Sequence, residues 1–211
     1  EVMIIAVNRG RIGQVRVGAE VWVKSLLALV GGTGFVVLGL VLLVVGVGIF
    51  VYERGRDIPI RGRYFAWMVG ESAAYAVGVA LLVSSLVGMV FMVAPVGSVT
   101  DPWTQLALSI GAGVYEELVF RVVLVGGLYL LVRRILWPGP AAYVIAALVG
   151  AAFFSGVHYA GPFGDVFTLP SFTFRFLFGL ALNGLFLWRG FGVAAWTHAL
   201  YDVLLVLGLL G

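Results

Sequence analysis

The sequence predicts an all-α protein, a polytopic bundle of about six to eight transmembrane helices enclosing a polar cavity within the membrane. Three observations carry that prediction. First, 62% of the 211 residues are apolar or aromatic and 11% are charged, against roughly 45–50% and about 25% in soluble domains. Thirteen Lys plus Arg and ten Asp plus Glu are too few to cover the surface of a soluble globule of this size. Second, apolar segments long enough to cross a hydrocarbon core of about 30 Å recur along the chain. Third, loops rich in Arg alternate with loops that carry neither Lys nor Arg, as in a chain that weaves through a bilayer.

The elements follow in order. Ser25 to Tyr52 carries no charge and amounts to roughly 42 Å of helix, one tilted span and too short for two. A basic loop with Arg54, Arg56, Arg61 and Arg63 precedes a second span, about Tyr64 to Ala94, interrupted by Glu71. After a loop without Lys or Arg, a third span from about Trp103 to Val132 contains Glu116, Glu117 and Arg121 and is closed by Arg133 and Arg134. Pro138 and Pro140 punctuate the entry to a fourth span, about Ala141 to His158. A fifth, about Ser171 to Trp188, carries Arg175, and Arg189 with Gly190 breaks it before a sixth segment from Val193 to Leu210. The alternation puts Arg54 to Arg63, Arg133, Arg134 and Arg189 in the cytoplasm. The N-terminal tail, with Arg9, Arg11, Arg16 and Lys24, does not fit that alternation and reads as an interfacial segment or part of a larger N-terminal region.

Other classes fall away. With no cysteine, a disulfide scaffold, an iron–sulfur centre and a thiolate zinc site are excluded. The net charge of +3 does not mark a nucleic-acid partner, because the basic residues sit beside hydrophobic runs. Gly32/Gly34 and Gly46/Gly48 lie inside apolar stretches without a phosphate-binding frame. No run of Lys, Gly/Ser or Gln/Asn marks a tail or linker, so one integrated membrane domain is expected.

Ionisable groups at membrane depth cost at least about 2.5–3.5 kcal/mol each and persist when paired or when they line a working cavity. Here they are Glu71, Glu116, Glu117, Arg121, His158, Arg175, His198 and Asp202, and the chain's two histidines are both among them. Glu117 and Arg121 are four apart with the acid first, the favourable order for a helical ion pair. Glu116 is turned about 100° from Glu117, which makes it the candidate general base in a cavity. His198 and Asp202 also share a helix face, and an acid beside an imidazole can fix its tautomer. Three helices thus each offer a polar group to a common centre, the parts for activating water on a carbonyl.

The same residues carry a family resemblance. Tyr115 to Arg121 reads YEELVFR and resembles an EExxxR motif; Phe154 to His158 reads FSGVH and resembles FxxxH; His198 to Asp202 reads HALYD and resembles HxxxN/D. In this order, all in hydrophobic segments, they are similar to the motifs of the CPBP family, the CAAX prenyl endopeptidases (Rce1-like) and bacteriocin-processing enzymes, also called Abi. The resemblance covers about Gln105 to Leu205. It implies that residues 1–102 hold the tail and variable transmembrane helices and residues 103–211 the catalytic core. It further implies an intramembrane endopeptidase cutting a membrane-associated peptide or protein. Glu116 and His158 would activate water, His198 and position 202 would stabilise the oxyanion, and Glu117 and Arg121 would support the site or orient substrate. Asp202 departs from the Asn of the prenyl proteases: an ionised Asp only accepts hydrogen bonds, so it would act protonated or by holding His198 as imidazolium.

No cofactor is favoured. Zinc is the alternative, with His158, His198 and Glu116 as ligands, but the chain lacks HExxH and the Glu-first arrangement can activate water unaided. Two other readings compete with a peptidase: a non-proteolytic relative acting as membrane regulator or bacteriocin-immunity protein, and a proton-coupled transporter using the same buried groups. Glu71 and Arg175 are expected in structural pairs, with each other or with the catalytic helices. Phe163, Phe167, Phe172, Phe174, Phe176 and Phe178 are expected in an aromatic belt ahead of a role in binding apolar substrate. The expected location is a prokaryotic plasma membrane, as an integral multi-pass protein.

Overall fold

The computed structural model describes residues 61–91, 102–135, 139–160 and 165–209, with isolated positions between 40 and 54. Apart from those positions, the expected span Ser25–Tyr52 lies outside the described residues, as do the N-terminal tail and the loop before Pro102. Among the described residues the chain is helical, without a strand, and forms five rods. The first is α1 (Gly62–Phe91). The second runs continuously as α2 (Pro102–Glu117), a π-helical stretch (Leu118–Val125) and α3 (Gly126–Ile135). Then come α4 (Pro140–Val157), α5 (Leu169–Arg189) and α6 (Phe191–Val206).

Local chemistry sets the ends. Pro140 starts α4, where its missing N–H forfeits nothing. Thr168 caps α5 by accepting from the Ser171 amide. Gly190, at φ 87°, ends α5 and lets the chain reverse directly into α6. The sixth segment stops at Val206, short of the expected Leu210, because Gly208 takes φ 68° and closes the helix. The Leu209 amide donates to Leu204 O and the Gly208 amide to Leu205 O, the two bonds of a Schellman cap.

Helices α1, α4 and α5 are each long and apolar enough to cross a bilayer. Their outer faces carry exposed Leu81, Leu82, Leu86 and Met89 on α1 and Val144, Leu148 and Phe153 on α4, a surface that suits lipid and not water. The inner faces are built of small residues. Ala142, Ala146 and Gly150 recur every fourth position on α4 and are buried, which allows close helix approach in lipid. Tyr143 donates to Asn183 O and Asn183 donates to Ala147 O, tying α4 to α5. Ser72 of α1 donates to Val193 O of α6. Gly113 of α2 lies so close to α6 that a Cβ there would meet Ala195 O at 2.5 Å and Ala199 Cβ at 2.7 Å. That contact brings the last turn of α2 against the middle of α6, and a cluster of Phe120, Phe154, Phe178, Leu182, Leu185 and Ala194 fills the centre beside it.

Candidate active site

Glu116 and Glu117 occupy the last turn of α2, and Arg121 lies in the π-helical stretch that begins one residue later. Glu116 is 5% exposed, Glu117 0%, Arg121 1% and His198 5%. Four ionisable side chains at that depth are tolerable only if they compensate one another. Arg121 Nη1 lies 3.0 Å from Glu117 Oε1, and the Arg121 guanidinium stacks over the Phe154 ring at 4.5 Å, a cation–π contact worth about 2 kcal/mol when desolvated. The same Glu117 oxygen accepts a 2.7 Å hydrogen bond from His198 Nδ1–H. Glu117 therefore links the α2 ion pair to the histidine of α6. The ion pair is one of charge more than of directed hydrogen bonds, because Glu117 Oε2 and Arg121 Nε and Nη1 have no hydrogen-bond partner among the described residues.

Glu116 faces elsewhere, as the helical geometry predicts. Its Oε2 lies 3.8 Å from His158 Nε2 and 4.0 Å from His198 Nε2. These separations are too long for direct hydrogen bonds and suit groups that share one water. His158 Nδ1–H donates to Phe154 O at 2.7 Å. A carbonyl oxygen can only accept, so in the neutral ring the lone pair sits on Nε2, the nitrogen that faces Glu116. Asp202 Oδ2 is 3.7 Å from His198 Nε2. The His158 and Asp202 side chains are 24% and 27% exposed, so the cluster is sealed on the α2 side and open beside these two.

Glu116, Glu117, Arg121, His158, His198 and Asp202 are thus brought together from α2, the π-helical stretch, α4 and α6. The tautomer-fixing hydrogen bond expected from Asp202 comes instead from Glu117. The other expected charges separate. Glu71 does not pair with Arg175: it takes both Arg189 Nε and Nη2 at 2.7 Å and the Tyr75 hydroxyl at 2.8 Å. Arg175 pairs with Asp165, a residue the sequence reading passed over. The phenylalanines also divide. Phe178 is buried against His198 and Tyr201, with ring centroids 5.4 and 4.5 Å away, and belongs to the core instead of a belt. Phe167 packs edge-on to Tyr159, Phe172 lies tilted against Phe167 and Phe176 stacks on Phe172, and Phe163 lies outside the described residues. Beyond its place in the FxxxH motif, the Phe154 ring packs edge-on to Phe120 and His158.

A zinc site needs three protein donors about 2.0–2.2 Å from one point. Among the described residues no three His, Asp or Glu side chains are assembled in that way.

An apolar helical bundle with a carboxylate and two histidines converging inside it defines a membrane protein with a buried polar site. Residues 98–204, just over half of the chain, match the profile of the type II CAAX prenyl endopeptidases, Rce1-like. The chain belongs to this family, a family of membrane proteases. Neither the characterised proteins nor the solved structures compared with it give a match.

Proposed function

We propose that the chain is an intramembrane endopeptidase whose catalytic machinery lies within residues 103–211. The observation that carries this reading is the approach of His158 and His198 Nε2 to the same Glu116 oxygen, at 3.8 and 4.0 Å. A water held among the three gives a proton to Glu116 as its oxygen attacks the carbonyl carbon of the scissile bond. His158 Nε2, with its lone pair towards the cavity, accepts from the same water and aims it. The carbonyl oxygen becomes an oxyanion, towards which His198 donates from Nε2 when both ring nitrogens carry protons. Glu117 orients His198, and Arg121 balances the charge of Glu117. Collapse of the tetrahedral intermediate breaks the C–N bond, and the proton held by Glu116 passes to the departing amine. The net reaction consumes one water and yields a new carboxyl and a new amino terminus. The open side beside His158 and Asp202 suits entry of an extended peptide. The family description suggests peptides with a prenylated C-terminus as a first substrate class.

The test is cleavage by the purified protein in proteoliposomes of membrane-anchored peptides, with and without a C-terminal prenyl group. Wild type is expected to cleave one class, and Glu116→Gln and His158→Ala to lose at least about 10²–10⁴-fold in rate. Equal cleavage by wild type and Glu116→Gln would overturn the assignment. Loss of activity on chelation, restored by zinc, would replace the metal-free step with a zinc-dependent one.

A further inference from the structure

His158 sits in a position that α4 alone does not hold. The helix ends at Val157, and the bonds that follow are short-range: the His158 amide donates to Ser155 O at 3.4 Å, the Tyr159 amide to Gly156 O at 3.1 Å and the Ala160 amide to Val157 O at 3.2 Å. Such terminal turns fray unless something outside the helix restrains them.

A second polar cluster, outside the site described above, meets this need. Arg175 projects from the second turn of α5 and joins three partners. Its Nη2 donates to the Asp165 carboxylate, and its Nη1 donates to the Tyr159 hydroxyl at 2.8 Å and to Ser171 Oγ at 2.7 Å. The guanidinium also lies over the Tyr159 ring at 5.1 Å. Asp165 in turn donates its amide to His158 O at 2.8 Å, satisfying a carbonyl that the helix end leaves without an intrahelical partner. One step back on α4, Ser155 donates to Phe172 O at 2.7 Å. Arg175 is therefore clamped to Tyr159, the residue after His158, and to Asp165, the residue that holds the His158 carbonyl.

We propose that Arg175, through Asp165 and Tyr159, is a positioning residue for His158. Its consequence for cleavage rests on the peptidase reading above, whereas its consequence for the His158 ring does not. With the cluster intact, the end of α4 is fixed, Nδ1–H keeps its bond to Phe154 O, and Nε2 stays aimed at Glu116. Without it, the terminal turn loosens and the ring samples both tautomers. A fork of donors is required, because three oxygens are engaged at once by one planar group.

The chain has two histidines, so ¹⁵N-histidine labelling of the detergent-solubilised full chain reports each ring separately. Wild type is expected to show His158 in the Nδ1–H form. In Arg175→Ala and in Asp165→Asn the His158 signals should move towards a mixture of tautomers while those of His198 stay in place. Cleavage by the same variants should show kcat lower by roughly 10- to 100-fold with KM nearly unchanged, the pattern of a misplaced group that does not bind substrate. Arg175→Lys should restore only part of the loss. Unaltered His158 signals in Arg175→Ala would overturn the proposal, and so would equal displacement of both histidines, which marks general loss of packing. If wild type cleaves no peptide, the peptidase reading fails, and the histidine spectra still decide the role of Arg175.

Discussion

His198 sits in the middle of α6, 5% exposed, with Nδ1 donating to the carboxylate of Glu117 and Nε2 within 4.0 Å of Glu116 and 3.7 Å of Asp202. His158 sits just past the end of α4, with a 24% exposed side chain, and donates Nδ1–H to a backbone carbonyl. Both rings present Nε2 to the same Glu116 oxygen. One is held by charge inside a regular helix, the other by backbone geometry at a helix end that a loop must restrain. A histidine among carboxylates is suited to carrying a proton and donating; one that gives its Nδ1 proton to a carbonyl is suited to accepting. The asymmetry of support matches the division of labour proposed for the two.

The sharpest way to break this comparison is to remove the charge that balances the His198 side. Arg121→Leu leaves Glu117 buried without its cation, and removal of one partner from a buried pair typically costs about 3–5 kcal/mol. Thermal unfolding in detergent should show that loss, and Glu117→Gln added to Arg121→Leu should recover part of it. If Arg121→Leu melts like wild type, the ion pair is not what makes these buried charges tolerable.

A smaller effect separates the histidines directly. Glu117→Gln keeps an acceptor for His198 Nδ1–H but removes the negative charge. Cleavage should fall by about 10²-fold, the order found when one preorganised stabiliser of an oxyanion is lost. In ¹⁵N-histidine spectra the His198 signals should shift and those of His158 should not. Matching shifts in both would mean that the two sides of the site are one electrostatic unit.

These contrasts were only partly legible in the sequence. Helical spacing alone put Glu117 with Arg121 and turned Glu116 away, because positions on one helix are fixed by its period. The scarcity of charge pointed to convergence of Glu116, His158 and His198, since lone ionisable groups in lipid are costly. The stop of α6 at Gly208 was also open to reading, as a glycine just past an apolar periodic run. The contact of Glu117 with His198, 81 positions apart, depends on how closely α2 meets α6 at Gly113, which is a property of packing and not of either segment. The π-helical stretch after Glu117 left no mark in the composition of Leu118–Val125. Asp165 carries no periodic or motif signal, and the expectation for Glu71 and Arg175 went no further than structural pairs, with each other or with the catalytic helices. Arg189 and Asp165 supply those partners from a helix terminus and a loop.

The smallest expected effect concerns Asp202. Its carboxylate lies 3.7 Å from His198 Nε2, beyond a direct hydrogen bond, and its side chain is 27% exposed. Both facts argue that its charge is partly screened and that Glu117, at 2.7 Å and fully buried, dominates the hold on His198. An amide at this position keeps the shape and adds a donor beside the proposed oxyanion. Asp202→Asn should therefore retain kcat within about tenfold of wild type, equivalent to roughly 1.4 kcal/mol, whereas Asp202→Leu, which offers neither charge nor hydrogen bond, should lose more. Parallel cleavage assays on one peptide distinguish the outcomes. Abolition of activity by Asp202→Asn would mean that the Asp202 charge, and not Glu117 alone, sets the state of His198, and the contrast between a charge-held and a backbone-held histidine would then have to include a second carboxylate on the open side.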